Sequence, residues 1–263
     1  MYLRIALVVC AAILSACASG YQQFYKPYVD AKSLQDVQTL PPSESPKIFS
    51  SNDLQRDVKI ARSRGYIPIG HSSFNGEMES ERGVVKQAQQ TGAVLVLVTS
   101  KFTETRTITT PLFVPNNQTT YSSGSVYGTS GSANYSGTST TYGTAVIPIT
   151  SQQQRYDQTA VYFVKSTRKL KFGLFSIDLP PELRSKLERN TGALIDIVAE
   201  ESPAFAANVL AGDVLIELNG TTVLNAKHAG ELMQSAHPTD RKVPLKVIRN
   251  GAERVIEVTL NES

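Results

Sequence analysis

With 263 residues, 41% of them hydrophobic, the chain is long enough for more than one modest core. Its 26 Lys and Arg against 23 Asp and Glu leave a formal charge of +3, and no basic run marks a nucleic-acid footprint, so nucleic acid is not an expected partner. Three scattered histidines and two cysteines give no metal-ligand spacing and no Walker or dinucleotide glycine pattern occurs, so neither a metal nor another cofactor is expected.

Arg4, the apolar run Ile5 to Leu14 and the small residues after it read as a secretion signal over residues 1–16, too short for a stable membrane span. Leu14-Ser15-Ala16-Cys17 resembles the lipobox of bacterial lipoproteins, which implies that Cys17 is lipidated and that acyl chains make the membrane a partner. Cys10 would leave with the signal, so the mature chain would keep one cysteine and no disulfide. Several acyl chains exceed the marginal anchoring of one myristoyl group, at about 0.8 kcal/mol per buried CH₂. By resemblance to the enterobacterial sorting pattern, Ala18 after the lipidated residue implies the outer membrane of a bacterial cell envelope.

Residues 17–50 are polar and hold Pro27, Pro41, Pro42 and Pro46, which predicts an extended tether. Tyr21, Phe24, Tyr25 and Tyr28 would sit at lipid headgroups or in a strand docked on the next domain. Residues 51–166 predict a small α+β domain. Ser51 or Asn52 caps a helix carrying Leu54, Val58, Ile60 and Ala61, and Gly65 stops it. A short strand follows, Tyr66 to Gly70, which Pro68 places at a sheet edge. A second helix runs from Glu79 to Gln90 with Val84, Val85 and Ala88 toward the sheet. Ala93 to Val98 is a continuous apolar run, hence a buried strand, passing into strict alternation at Phe102 to Thr109, with a return strand at Arg155 to Lys165.

From Thr107 through Gln154 there is no Asp, Glu, Lys, Arg or His, and Ser, Thr, Gly, Asn and Tyr dominate, with the low-complexity insert at about 110–150. Tyr121, Tyr127, Tyr135 and Tyr142 each lie near a glycine. Such a stretch forms a mobile loop, a long hairpin, or a surface for β-type self-association. It motivates an alternative function, a structural or adhesive envelope protein acting through residues 107–154.

Gly70-His71-Ser72-Ser73-Phe74 begins like the Gly-x-Ser-x-Gly nucleophile elbow, but Phe74 stands at the fifth position, and the remaining histidines, His228 and His237, would have to cross from the last third of the chain to act as base. The bland reading is a turn whose serines bond local backbone. Glu77/Glu79/Glu81 and Glu200/Glu201 read as solvated faces. No catalytic residue is assigned, and an enzyme is not expected.

The last third carries the sharpest pattern. Lys171-Phe172-Gly173-Leu174 precedes Ser202-Pro203-Ala204, and then Leu210-Ala211-Gly212-Asp213-Val214-Leu215-Ile216-Glu217-Leu218-Asn219-Gly220. This order resembles the PDZ domains of HtrA-like periplasmic proteases, over residues 170–261 and without a protease domain before it. The fold class is therefore α+β: a small N-terminal α/β layer with a long β-hairpin, then a partly open β-barrel with two helices. The resemblance implies capture of protein C-termini or extended strands in the cell envelope by β-augmentation. Phe172, Gly173 and Leu174 would offer amides to a terminal carboxylate, Leu174 to Asp178, with Phe175 and Ser176, would form the receiving edge, and Ala229 and Met233 the opposite wall. His228 would sit where some PDZ domains select a ligand hydroxyl, and Lys165, Arg168, Lys169 and Lys171 would add a positive field or only a solvated linker. Ala206-Ala207-Asn208-Val209-Leu210 departs from the family's usual Ala-Gly-Leu ending.

Overall fold

The computed structural model describes residues 18–236 and 242–260. Cys10, Cys17 and His237 lie outside the described residues, so the expected signal and lipidation site have no structural counterpart here. The fold is α+β. By compactness the chain divides into one unit formed by residues 75–78 and 102–156 and another formed by the remainder.

In the larger unit, helix α1 (Gly20–Gln23) and strand β1 (Tyr25–Pro27) precede a 3₁₀ turn (Ala31–Ser33), β2 (Val37–Gln38) and β3 (Lys47–Ser50). Helix α2 (Leu54–Ser63), β4 (Tyr66–Gly76) and α3 (Glu81–Thr91) lead into the long strands β5 (Leu95–Gly128) and β6 (Gly131–Ser166). The sheet order is β1-β4-β6-β5-β3, with β2 on β6; β3 runs parallel to β5 and pairs Lys47 to Leu95 through Ser50 to Val98. Alternation along the central strands feeds two cores. Val96, Ala160, Tyr162 and Val164 pack with Val84 and Ala88 of α3, whereas Leu95, Leu97, Val161 and Phe163 pack with Leu54, Val58 and Ala61 of α2. A strand covered on both faces has to be apolar throughout, which is why Ala93 to Val98 shows no alternation.

The expected tether is instead a docked segment. Tyr21 is buried edge-on against Phe74 at 5.0 Å, Phe24 stacks on the same ring at 5.7 Å, and Tyr25 meets Tyr162 edge-on at 5.5 Å. Tyr25 pairs with Ser72 in the β1–β4 ladder, and its ring covers Gly70, where a Cβ would collide with it. Burying aromatic area against the sheet at about 25 cal/mol per Å² outweighs the extended bias of four prolines. Tyr21 and Tyr25 therefore pack on protein, whereas Phe24 and Tyr28 keep exposed surface. Other differences are local: Asp53, not Ser51 or Asn52, caps α2 by accepting from the Arg56 amide, while Ser51 Oγ donates to Asp57 at 2.7 Å. Gln87 is buried beside Val84 and Ala88, with Val85 only half-buried. Pro68 lies inside a strand longer than expected and second from the sheet edge.

The same unit contains β7 (Leu174–Asp178), α4 (Pro181–Leu187), β8 (Ala193–Val198), α5 (Pro203–Ala206), β9 (Val214–Leu218), β10 (Thr221–Thr222), α6 (Ala226–Ser235), β11 (Lys242–Arg249) and β12 (Ala252–Thr259). The sheet order is β12-β11-β9-β8-β7, with β10 on β9. Turn chemistry sets this register. Asn219-Gly220 and Asn250-Gly251 hold positive φ at all four positions and close the β9–β10 and β11–β12 hairpins, as type I′ turns require. Asn208 at φ 61 takes the left-handed position after α5, so an asparagine fills the place where the usual pattern has glycine. Its backbone amide donates to Phe205 O, and the loop closes with Val209 N donating to Ala204 O at 3.0 Å.

The smaller unit is a two-stranded ribbon. Its cross-strand side-chain pairs, Thr109 with Thr150, Thr119 with Thr140 and Ser125 with Asn134, share one register up to the turn at Thr129-Ser130. Of the sequence alternatives the hairpin is the one formed.

Candidate functional site

β7 is the outermost strand of its sheet, paired on one side with β8 from Leu174↔Val198 to Asp178↔Ala193, with α6 packed beside it. Leading into it is the tight turn Phe172-Gly173. Gly173 has φ 79, and a Cβ there would overlap Ser202 Cβ and Oγ, so the position demands both a left-handed backbone and no side chain. The turn is held from the far side: Ala204 N donates to Phe172 O at 2.9 Å and Ala199 N to Gly173 O at 2.8 Å. Ser202, the N-cap of α5, accepts from Phe205 N, fixing the helix that carries Ala204. With both carbonyls occupied on that side, the amides of Phe172 and Gly173 donate to no protein acceptor among the described residues. They are available to an anion.

These amides open onto a cleft of about 870 Å³, lined by Asp36, residues 167–175, Gly230, Met233 and Gln234. Of the residues picked from sequence, it brings together Phe172, Gly173, Leu174, Phe175 and Met233. Ser176 lies on β7 but not in this lining. Ala229 is corrected: it is fully buried in the core with Phe172, Leu174 and Val223, and the neighbouring Gly230 lines the cleft. An apolar stripe read from sequence leaves the rotation of the helix about its axis open by one residue, and packing resolves it.

Two basic residues also have roles other than a diffuse field. Lys171 Nζ donates to the carbonyls of Gln234, at 3.1 Å, and Ala236, tying the Phe172-Gly173 turn to the C-terminus of α6. Lys165 Nζ donates to Arg64 O and lies 4.8 Å over the Tyr66 ring. Arg168 and Lys169 remain in the cleft lining. His228 is committed to the helix start: its amide donates to the Asn225 side chain at 2.8 Å and its Nδ1 accepts from Leu224 N at 3.3 Å, so that nitrogen is unavailable to a ligand hydroxyl. From the N-terminal layer, Arg62 stacks on Phe175 at 5.2 Å, Lys59 pairs with Asp196 at 2.6 Å and Arg64 with Glu200 at 3.3 Å. The contribution of this layer to the wall beside β7 had no signal in the local sequence.

Ser72 sits within β4, not in a turn. It is fully buried, and its hydroxyl donates to Tyr21 O at 2.6 Å, a contact that locks the docked N-terminal segment. His71 points elsewhere, stacking on Tyr28 at 5.2 Å. Glu79 likewise accepts from Gly20 N at 2.6 Å. The elbow-like sequence therefore serves docking.

An edge strand beginning at a glycine turn, flanked by a helix and followed by Asn-Gly hairpins, is the arrangement that the motifs of the last third implied. Comparison with known proteins agrees: a PDZ domain model matches residues 163–260, and this region of the chain is a PDZ domain. It is 42% identical over 76 residues to a probable periplasmic serine endoprotease DegP-like from Marinomonas sp. (strain MWYL1), covering 28% of this chain and 16% of that protein. A protein of the same description from Ectopseudomonas mendocina (strain ymp) is 31% identical over 74 residues, covering 28% of this chain and 15% of that one. The chain thus spans about one sixth of the length of the curated relatives it matches. Among solved structures, the HtrA3 PDZ domain bound to a phage-derived ligand (FGRWV) aligns with a TM-score of 0.30 at 19% identity, over 34% of this chain and 83% of that chain. The HtrA-type protease AlgWS227A with decapeptide aligns with a TM-score of 0.32 at 19% identity, over 38% of this chain and 36% of that chain.

Proposed function

We propose that this chain is a lipid-anchored binding protein of the bacterial cell envelope whose PDZ domain captures C-termini or extended strands of other proteins. The observation that carries the reading is the free edge of β7 beginning at two unbonded amides, Phe172 and Gly173, beside a cleft walled by Met233. An incoming peptide adds as a strand along β7, and its terminal carboxylate takes the two amides. Each charge-assisted bond is worth about 1.5–3 kcal/mol before desolvation and ordering, so micromolar affinity is expected. The lipid anchor rests on Leu14-Ser15-Ala16-Cys17, and the envelope location on that motif and on the periplasmic naming of the relatives.

The test is a fluorescence titration with a library of C-terminal peptides, repeated for each binder as its C-terminal amide. A free carboxylate should bind at least about tenfold tighter, equivalent to about 1.4 kcal/mol. Equal affinity of acid and amide would remove the carboxylate turn from the reading, and no binding at all below millimolar would sink it.

A further inference from the structure

Among the described residues the ribbon has no third strand. From Thr107 to Gln154 β5 and β6 have no other described strand beside them, because β3 accompanies β5 only along Leu95 to Val98 and β4 ends at Gly76, where Asn75 bonds Arg155. In the common register, Ile108, Leu112 and Val114 of β5 share one face with Ala145, Ile147 and Ile149 of β6, opposite the threonine pairs. Leu112 is 45%, Ile147 48% and Ile149 50% exposed. A two-stranded ribbon in water is marginal at best, and this one exposes an aliphatic patch within a 48-residue stretch, 107–154, that has no Asp, Glu, Lys, Arg or His.

Three covers are physically conceivable, and two conflict with the backbone. Lipid would strand the unpaired N–H and C=O groups of both outer edges in hydrocarbon, at several kcal/mol each. Edge-to-edge pairing with another strand is blunted within the apolar band by Pro111, Pro115 and Pro148, which have no N–H to give. What remains is a second apolar sheet face laid on this one, about 10 Å away, with the outer edges left in water. A partner with the same uncharged face meets no unpaired charge, and the chain itself supplies one. Residues 107–128 extend about 70 Å at ~3.3 Å each, so the whole ribbon face, aliphatic band and uncharged polar remainder together, offers roughly 700 Å² at a width of about 10 Å. This is close to the ~800 Å² per partner of a stable interface.

We propose that the hairpin is a self-association element in which the face bearing Ile108, Leu112, Ile147 and Ile149 packs on the same face of a second copy. This assembly is independent of peptide capture by β7. The test is a cysteine scan in the full chain expressed in its envelope, one substitution at a time. Thr110, Leu112, Ile147 and Ile149 probe the proposed face, and Thr109, Phe113, Val146 and Thr150 the other. Disulfide-linked dimers are expected from the first set and at least about fivefold less from the second. As a second measurement, Leu112→Glu with Ile147→Glu should turn a purified dimer into a monomer in sedimentation, while Phe113→Glu should not, with peptide affinity unchanged in both. Equal crosslinking from the two faces, a wild-type monomer at 100 µM, or crosslinks only to a different protein would overturn the proposal.

Discussion

Gly173→Ala tests the turn from which both the fold of the C-terminal sheet and the proposed site follow. Two penalties add. A residue with a Cβ at φ 79 costs about 1–2 kcal/mol. The overlap with Ser202 Cβ and Oγ adds an overpacking term of about 1–3 kcal/mol, giving a total of about 2–5 kcal/mol. Ser202→Gly removes both clashing atoms, and glycine in place of an N-cap serine costs only a few tenths of a kcal/mol. The double variant should therefore retain only the backbone cost plus that small loss, with a coupling energy of about 1–3 kcal/mol between the sites. Urea unfolding followed by far-UV circular dichroism measures all four corners of the cycle, and peptide titration on the folded fraction asks whether the turn still offers its amides. Strict additivity would refute the steric argument. Full stability of Gly173→Ala alone would refute both parts of it.

Other expectations concern the two cores. Asp213 and Arg249 form a bidentate pair with 2.6 Å contacts and side chains 2% and 16% exposed, and Asp213 also accepts from Leu210 N. Arg249→Ala should cost about 3–5 kcal/mol by leaving that carboxylate unpaired, whereas loss of the exposed Lys242–Glu257 pair should cost under about 1 kcal/mol, both read from unfolding midpoints. Burial holds the phenols of Tyr162, Tyr21 and Tyr25 protonated above the ordinary tyrosine range. Because they ionise earlier in the unfolded chain, their contribution is intact below about pH 10 and is lost as pH rises beyond it, and Tyr162→Phe should flatten that decline in melts between pH 8 and 11. Gly70→Ala should displace the Tyr25 ring and speed tryptic cleavage at Lys32, Lys26 being protected by the proline after it, and no change in cleavage would mean that the N-terminal segment is not held by this contact.

What was legible in the sequence is what local chemistry dictates. The PDZ elements follow from residues that carry their own backbone instructions: Gly173 for its turn, Ser202 for a helix start and Asn219-Gly220 for a hairpin, whereas Asn250-Gly251 does the same for a hairpin that the reading left unnamed. The two faces of the central strands likewise follow from alternation at Ala160 to Val164. The docking of residues 20–50 was legible only as one of two alternatives for its aromatic residues, because proline and polarity describe the segment alone, whereas its partners Phe74, Gly70 and Tyr162 come from strands far along the chain. Ala229 was misplaced by a single position, a distinction that depends on how α6 rolls against β7. Arg62 stacked on Phe175 belongs to neither motif and emerges only when the α2 layer meets the PDZ strand.

The edge of β7 and the edges of the ribbon call for opposite treatment, and the residues reflect it. An exposed edge templates any strand that reaches it, so proteins keep such edges short, covered or interrupted. β7 is short, with five residues, contains no proline, and has α6 beside it and Lys171 tying that helix to its entry turn. Pairing is thereby confined to one strand of limited length, entering between β7 and α6. The ribbon edges are several times longer, and there Pro111, Pro115 and Pro148 remove donors within the apolar band, while the aliphatic side chains stand on a face. On the two proposals made above, edge pairing is retained where a peptide end would be read and suppressed where indiscriminate strand addition would compete with stacking. It follows that replacing the three prolines with threonine should shift the chain from discrete assembly toward fibrous aggregates binding thioflavin, without altering peptide affinity at β7. Discrete dimers that survive the triple replacement unchanged would show that the prolines do not guard those edges.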